Sequence, residues 1–157
     1  VYLAEHEMLG RFSPIPYTET VSELIGEYRP QIVLFAATPL GRELAPRVAY
    51  RTHSGLTADC TGLDLMDLKR AGKEYTGILR QTRPALGGNI MASIITQNAE
   101  IQMSTARPGV MKALPRDDAR RGEVIKHTPQ LAEERAGVSL VIQIRKLYIQ
   151  GLYNTCA

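Results

Sequence analysis

Tryptophan is absent from the sequence, and only 6% of its residues are aromatic. A surface that tracks nucleic acid combines a basic stripe with aromatic platforms. Here 19 basic and 16 acidic residues leave a net charge of only +3. The densest basic cluster, Arg116, Arg120 and Arg121, is diluted by Asp117 and Asp118. No nucleic-acid partner is therefore expected. Cysteine is scarce as well: Cys60 and Cys156 stand far apart and form no C-x-x-C pair. That argues against a disulfide framework and fits a reducing, cytoplasmic setting. No apolar run approaches the ~20 residues that span a bilayer, so no membrane span is expected.

Catalytic signatures are missing too. There is no Walker loop, no G-x-G-x-x-G and no G-x-S-x-G elbow. His6, His53 and His127 are isolated, and none sits at a metal-ligand spacing from Cys, Glu or another His. Surface or helix-end roles are expected for them. Cys60 has Asp59 beside it rather than a cation, so it reads as a buried strand cysteine, not a reactive thiolate. No catalytic residue and no metal ligand is assigned.

What remains is a chain of 157 residues, 44% hydrophobic, long enough for one domain with a real core. Val1 to Ala4 reads as the end of a buried strand, as if within a fold already under way. Gly10 to Pro16 reads as a loop. A helix capped by Thr18 or Thr20 follows, with Val21, Leu24, Ile25 and Tyr28 on one apolar stripe. Arg29-Pro30 ends it. The run Ile32 to Ala37 suits a parallel strand covered on both faces. After a turn at Thr38 to Gly41, Leu44, Ala45, Val48 and Ala49 mark a second helix that stops before Gly55. The middle changes character. Asp59–Leu65, Tyr75–Gln81, Ile90–Thr96 and Ile101–Arg107 read as four strands of an antiparallel extension. Lys112 to Gly122 reads as a polar connector, Glu123 to Lys126 as a short strand, Leu131 to Gly137 as an acidic stretch and Val138 to Ile144 as another strand. The fold class is α/β: a partly parallel, Rossmann-like sheet flanked by helices and extended by antiparallel strands.

Several segments have the chemistry to meet a ligand, each with a plainer alternative. Thr38 to Gly41 follows a strand and opens a helix, where N–H groups could receive an anion, or it is a simple turn. Gly87-Gly88-Asn89 can form a concave nest of backbone N–H groups beside Arg83, or a turn between strands. Thr57 to Gly62 places small and polar residues in a strand. Arg107 precedes Pro108-Gly109 and could pair locally.

Four strings are distinctive together: ATPLGRELAPRVA from Ala37, GLTADCTGL from Gly55, QTRPALGGNIMA from Gln81, and QMSTARPGV from Gln102. In this order they closely resemble the N-terminal domain of electron-transfer flavoprotein alpha subunits, over roughly Val1 to Val110. The second and third strings resemble the electron-bifurcating and nitrogen-fixation-linked branch. The resemblance implies an alpha–beta pair in which FAD carries electrons between dehydrogenases and a quinone reductase or ferredoxin. It implies that the main FAD lies in the alpha subunit's C-terminal domain. The beta subunit would carry AMP or, in bifurcating members, a second FAD. Arg83, Gly87, Gly88 and Asn89 are then candidates to face that second flavin. Arg83 has the alternative of pairing with an acidic group on the partner.

The resemblance also divides the chain. Residues 1–111 correspond to part of the N-terminal α/β domain, without its opening strands. Residues 112–157 form a connector, short strands and a tail from Lys146 that resembles nothing expected of the family, as in a truncated or frame-shifted reading. The glycine- and arginine-rich loop of the FAD-holding domain is not among them. The expected role is electron transfer as part of the FAD-containing complex, this piece scaffolding and packing on the beta subunit without turnover of its own. The alternatives are a non-redox nucleotide-binding α/β domain and a structural interaction module.

Overall fold

The computed structural model describes residues 1–132 except positions 71, 89 and 98. The strand expected at Val138 to Ile144, most of the acidic stretch before it and the tail lie outside the described residues. The α/β class holds: two helices, parallel strands and an antiparallel extension.

Helix α1 spans Pro14–Tyr28, with Ser13 at its N-cap position. It thus starts earlier than a cap at Thr18 or Thr20 would place it, and it takes up part of the Gly10–Pro16 loop. The two prolines are the reason. A first-turn proline has no N–H to lose and a φ already helical. The threonine hydroxyls instead donate back up the helix, Thr18 to the Pro14 carbonyl at 2.6 Å and Thr20 to Pro16 at 2.9 Å. Arg29 closes the helix in the left-handed region (φ 44°), its N–H donating to the Ile25 carbonyl.

Strand β2 (Ile32–Ala36) leads into helix α2 (Pro39–Arg51), which returns to strand β3 (Gly55–Cys60). Between β2 and β3 lies strand β7 (Gln102–Ala106), parallel to both, with Val33 opposite Met103 and Leu56 opposite Met103 on the other side. This corrects the expectation that Ile101–Arg107 joins the antiparallel extension. A short apolar strand carries no mark of its direction. What decides is burial: Gln102 to Thr105 are all buried, as suits a central parallel strand covered on both faces.

One face of this sheet receives the helices. Ile25, Val48, Ala49 and Met103 form the core, with Val21, Phe35, Leu44 and Leu56 packed against it. Burying side chains the size of Val48 or Met103 stabilises by roughly 1.5–3 kcal/mol each. The opposite face is polar but satisfied. The Gln102 Oε1 accepts the Leu79 N–H at 2.7 Å, and the Ser104 hydroxyl donates to the Thr57 carbonyl and the Cys60 sulfur. Cys60 is buried, as expected.

That face is covered by the antiparallel sheet of β4 (Gly62–Arg70), β5 (Lys73–Ala85) and β6 (Ile90–Ile94). The stretch read as one strand, Asp59–Leu65, is the end of β3 and the start of β4, joined through Thr61. Strand β5 runs on through Arg83-Pro84, past the expected end at Gln81, and pairs with β6 as Arg83 opposite Ala92. The remaining strands, β1 (Tyr2–Ala4) and β8 (Ile125–His127), form a parallel pair beside α1. Tyr2 packs on Tyr28, and His127 lies 3.5 Å from Glu23 and 3.6 Å from Glu27. It therefore sits against a helix rather than in an isolated surface position.

Candidate functional site at the carboxyl ends of the parallel strands

Ligands of open α/β sheets settle outside the carboxyl ends of the parallel strands. At that end β2 gives way to Ala37-Thr38, β3 to Thr61 and β7 to Arg107. Thr38 caps α2, its hydroxyl accepting the Gly41 N–H at 3.2 Å, so part of the helix's anion-binding capacity is already used. Gly41 is required by proximity: a Cβ there would stand 1.9 Å from the Ala36 carbonyl oxygen. Its absence brings the helix start down onto the strand end and sets Arg42 over the site.

Asp59 is the hub. It sits in the left-handed region (φ 62°), which Asp tolerates better than most residues. Its N–H donates to the Thr105 hydroxyl at 2.7 Å. Its carboxylate accepts two bonds from Arg107, Nε to Oδ1 at 3.1 Å and Nη2 to Oδ2 at 2.7 Å. Arg42 adds a third from Nη2 at 3.2 Å, while its Nε donates to the Ala37 carbonyl. The Arg107 bonds hold the Asp59 carboxyl below its ordinary range against the opposing effect of burial, and the charges of Arg107, Arg42 and Arg83 reinforce them. Arg107 is raised in turn by the same bonds. Arg107 could have paired locally, but its pairing is long-range, from the end of one parallel strand to the end of its neighbour.

Arg83 reaches this place from the antiparallel sheet. It alternates with Leu79 and Gln81, both buried beneath the parallel layer, so it shares their face. The neighbouring Thr82 carbonyl accepts the Thr61 N–H at 2.8 Å, fixing β5 to the chain just after Asp59. Arg83 is extended, as the following proline requires. It has no hydrogen bond or ion pair among the described residues. Gly87 and Gly88 follow in a short turn with φ of 76° and 83°, exposed and with nothing near their missing Cβ positions. Asn89 lies outside the described residues. The structure thus unites Arg42 and Arg107 on Asp59, sets Arg83 on the neighbouring strand where its charge still bears on Asp59, and leaves the two glycines at the adjacent β5–β6 turn. Asp59 escaped sequence reasoning. Its signal was a carboxylate closing a strand with arginines downstream, but the pairing spans 48 residues.

A concavity of about 670 Å³ opens at the opposite end of the sheet, between the C-terminal parts of α1 and α2. Arg29, Arg51, His53, Glu23 and Glu100 line it, and charges of both signs give it no single preference. Among the described residues, no group of three His, Cys, Asp or Glu side chains is placed to hold a metal ion. No described helix is long and apolar enough to cross a membrane.

Comparison with known proteins bears on the whole of this architecture. The profile of the family described as "Electron transfer flavoprotein domain" matches residues 1–132. The chain is 47% identical over 133 residues to the electron transfer flavoprotein subunit alpha of Thermoanaerobacterium thermosaccharolyticum, covering 85% of this chain and 38% of that protein. It is 39% identical over 152 residues to the subunit alpha of Clostridium acetobutylicum, covering 93% and 43%. It is 35% identical over 140 residues to protein FixB of Rhizobium meliloti, covering 89% and 37%. The chain thus spans well under half the length of these relatives. With matches of this extent, over a stretch that contains the four strings and the α/β fold that carries them, the chain belongs to the electron transfer flavoprotein family, on its alpha-subunit and FixB side.

Proposed function

We propose that this chain serves electron transfer through FAD as part of an alpha–beta flavoprotein complex, packing on the beta subunit and scaffolding it. Residues 1–111 act as part of the N-terminal domain and the residues from 112 as a connector, the main flavin being held by a domain outside this sequence. The setting is cytoplasmic, and a dehydrogenase and a quinone reductase or ferredoxin exchange electrons with the complete complex. Bound FAD supplies the reversible uptake of electrons. The residues of this chain supply charge and shape at its border.

The observation that carries the reading is Arg83. It is a guanidinium without an ion-pair partner among the described residues, held extended by Pro84 and fixed beside a turn of two positive-φ glycines. Such a group fits one wall of a flavin site: a positive charge at the end of a strand, followed in the chain by a turn whose Gly87 and Gly88 are exposed and meet nothing at their missing Cβ positions. It does not enclose a flavin by itself. Arg83, Gly87, Gly88 and Asn89 are accordingly assigned to face the second flavin, the one held mainly by the beta subunit. The neighbouring β6 presents Ile90, Met91 and Ile94 as exposed apolar side chains, a surface suited to a protein partner.

A guanidinium at about 4–8 Å, in an effective dielectric near 20, attracts one developing negative charge by roughly 2–4 kcal/mol. For a two-electron couple that is roughly 40–90 mV in favour of reduced flavin. Arg83→Gln in the complete alpha–beta complex should lower the second flavin's potential by up to that amount, read by reductive titration. A potential unchanged within about 15 mV, with FAD occupancy intact, leaves Arg83 only a structural role.

A further inference from the structure

Two guanidinium groups meet one carboxylate where the parallel strands end, and a third, Arg83, stands next to Thr82, whose carbonyl is bonded to the chain just after that carboxylate. Arg42 descends from the first turns of α2, Arg107 follows β7, and Arg83 approaches along β5 beside the Thr61–Thr82 bond. Asp59 neutralises one charge of the three. The committed donors are few. Arg107 spends Nε and one Nη2 bond on Asp59, and Arg42 spends Nε on Ala37 and one Nη2 bond on Asp59. A guanidinium has five N–H donors, so both arginines keep some not spent on described residues, and Arg83 spends none on a described residue. The unspent donors are held in place, because Asp59 and the Ala37 carbonyl fix the planes of Arg107 and Arg42. Fixed, forked guanidinium groups in excess over carboxylate are suited to a phosphate-class dianion, which accepts paired bonds from them.

Position agrees with charge. The cluster lies just past the carboxyl ends of β2, β7 and β3, the end at which α/β sheets receive ligands. The left-handed Asp59 is anchored by the Thr105 hydroxyl, and Arg107 engages both oxygens of its carboxylate.

We propose that Arg42, Arg83 and Arg107, oriented by Asp59, form an anion site on this chain that takes a phosphate group, either free or as the phosphate of a nucleotide. Arg42 and Arg83 are its binding residues, and Asp59 is its positioning residue. This assignment goes beyond the flavin reading and does not rest on it, since it concerns binding by the chain alone.

The test uses the full 157-residue chain, isotope-labelled and kept below the concentration at which it scatters light, with amide shifts followed during titration at low ionic strength. The probes are inorganic phosphate, AMP and, as a monoanion control, acetate. Phosphate should produce saturable shifts centred on Arg42, Asp59 and Arg107, with acetate giving none that saturate. Arg42→Gln and Arg83→Gln should each weaken phosphate binding by at least about tenfold. Arg51→Gln, at the opposite end of the sheet, should leave it unchanged. Arg42 is 58% exposed, so its replacement should preserve the amide spectrum and keep the comparison valid. AMP binding about tenfold tighter than phosphate assigns the site to a nucleotide, and equal binding assigns it to the free ion. A non-saturating response to phosphate and AMP overturns the proposal. So does saturable binding that survives the Arg42→Gln/Arg83→Gln double variant, or that falls equally with Arg51→Gln. A null result for Arg83→Gln on flavin potential, with phosphate binding lost here, would separate this site from the flavin assignment.

Discussion

The parallel layer and the antiparallel arm each have three strands but hold themselves together differently. Strands β2, β7 and β3 carry two helices on one face, and Val48 and Met103 are completely buried there. In the arm, Ile78, Leu79 and Gln81 of β5 are buried, whereas Leu65 of β4 is 66% exposed and Ile90 and Met91 of β6 are more than half exposed. The first region owes its stability to a core of its own. The second is anchored along one strand and offers the rest of its surface outward. Packing fixes the scaffold, and the attached arm presents the surface on which a partner can act.

Matched substitutions should separate the two. Gly41→Ala has the largest expected effect, a loss above about 4 kcal/mol. Its Cβ would collide with the backbone at Ala36, which no rotamer change relieves. Gly88→Ala in the arm meets no neighbour and should cost only the left-handed backbone penalty of roughly 1–2 kcal/mol. Urea denaturation of both variants checks the contrast, and equal losses would contradict it.

Truncation of apolar side chains should sort the same way. Met103→Ala should destabilise by about 2–5 kcal/mol, and Leu65→Ala by less than about 0.5 kcal/mol. A large loss at Leu65 would mean that the arm has a core of its own.

The outward surface makes its own prediction. The edge of β2 and the outer edge of β6 have no strand paired to them among the described residues. Open edges invite association, and a net charge of +3 opposes it weakly. The lone chain should scatter light at concentrations where its complex with a beta subunit does not, and it should retain little or no FAD after gel filtration. A monodisperse lone chain, or one with stoichiometric FAD, would count against this picture.

The smallest effect concerns the joint between the regions. Because Asp59 is held below its ordinary range, it binds fewer protons folded than unfolded. Its contribution to stability is present above the ordinary carboxylate value near 4 and is lost as pH falls through the folded value. Thermal denaturation between about pH 6 and pH 3 should show a steeper acid loss for the parent than for Asp59→Asn. Identical profiles would dissolve the clasp.

The contrast also governs what could be read from the sequence. The β2–α2 unit was legible because Ile32 to Ala37 and the spacing of Leu44, Ala45, Val48 and Ala49 are local patterns. The apolar stripe of α1 was legible for the same reason, whereas its start was hidden by prolines that break helices elsewhere but open them at the first turn. The direction of β7 was not legible, because a strand of five residues looks alike in either orientation and only its neighbours decide. At the candidate site, Pro84 and the Gly87-Gly88 pair announced a held arginine and a turn. The hub at Asp59 did not show, since a left-handed φ and a clasp to Arg107 are properties of the assembled sheet.

The central position of β7 has a consequence for how the molecule comes into being. Its two neighbours, β2 and β3, precede it in the chain, with the whole antiparallel arm intervening before Gln102. Even its closest tie to β3, from Cys60 to Ser104, closes a loop of 44 residues. Until that strand arrives, β2 and β3 have nothing between them, and the helices have no Met103 to rest upon. During synthesis, the first third of the domain must therefore wait as an unsealed assembly while the arm emerges. Such long-range closures are slow and leave apolar surface exposed in the interval. A ribosome paused before Gln102 would hold a nascent chain open to chaperones, and one paused well beyond Ala106 would hold one able to close.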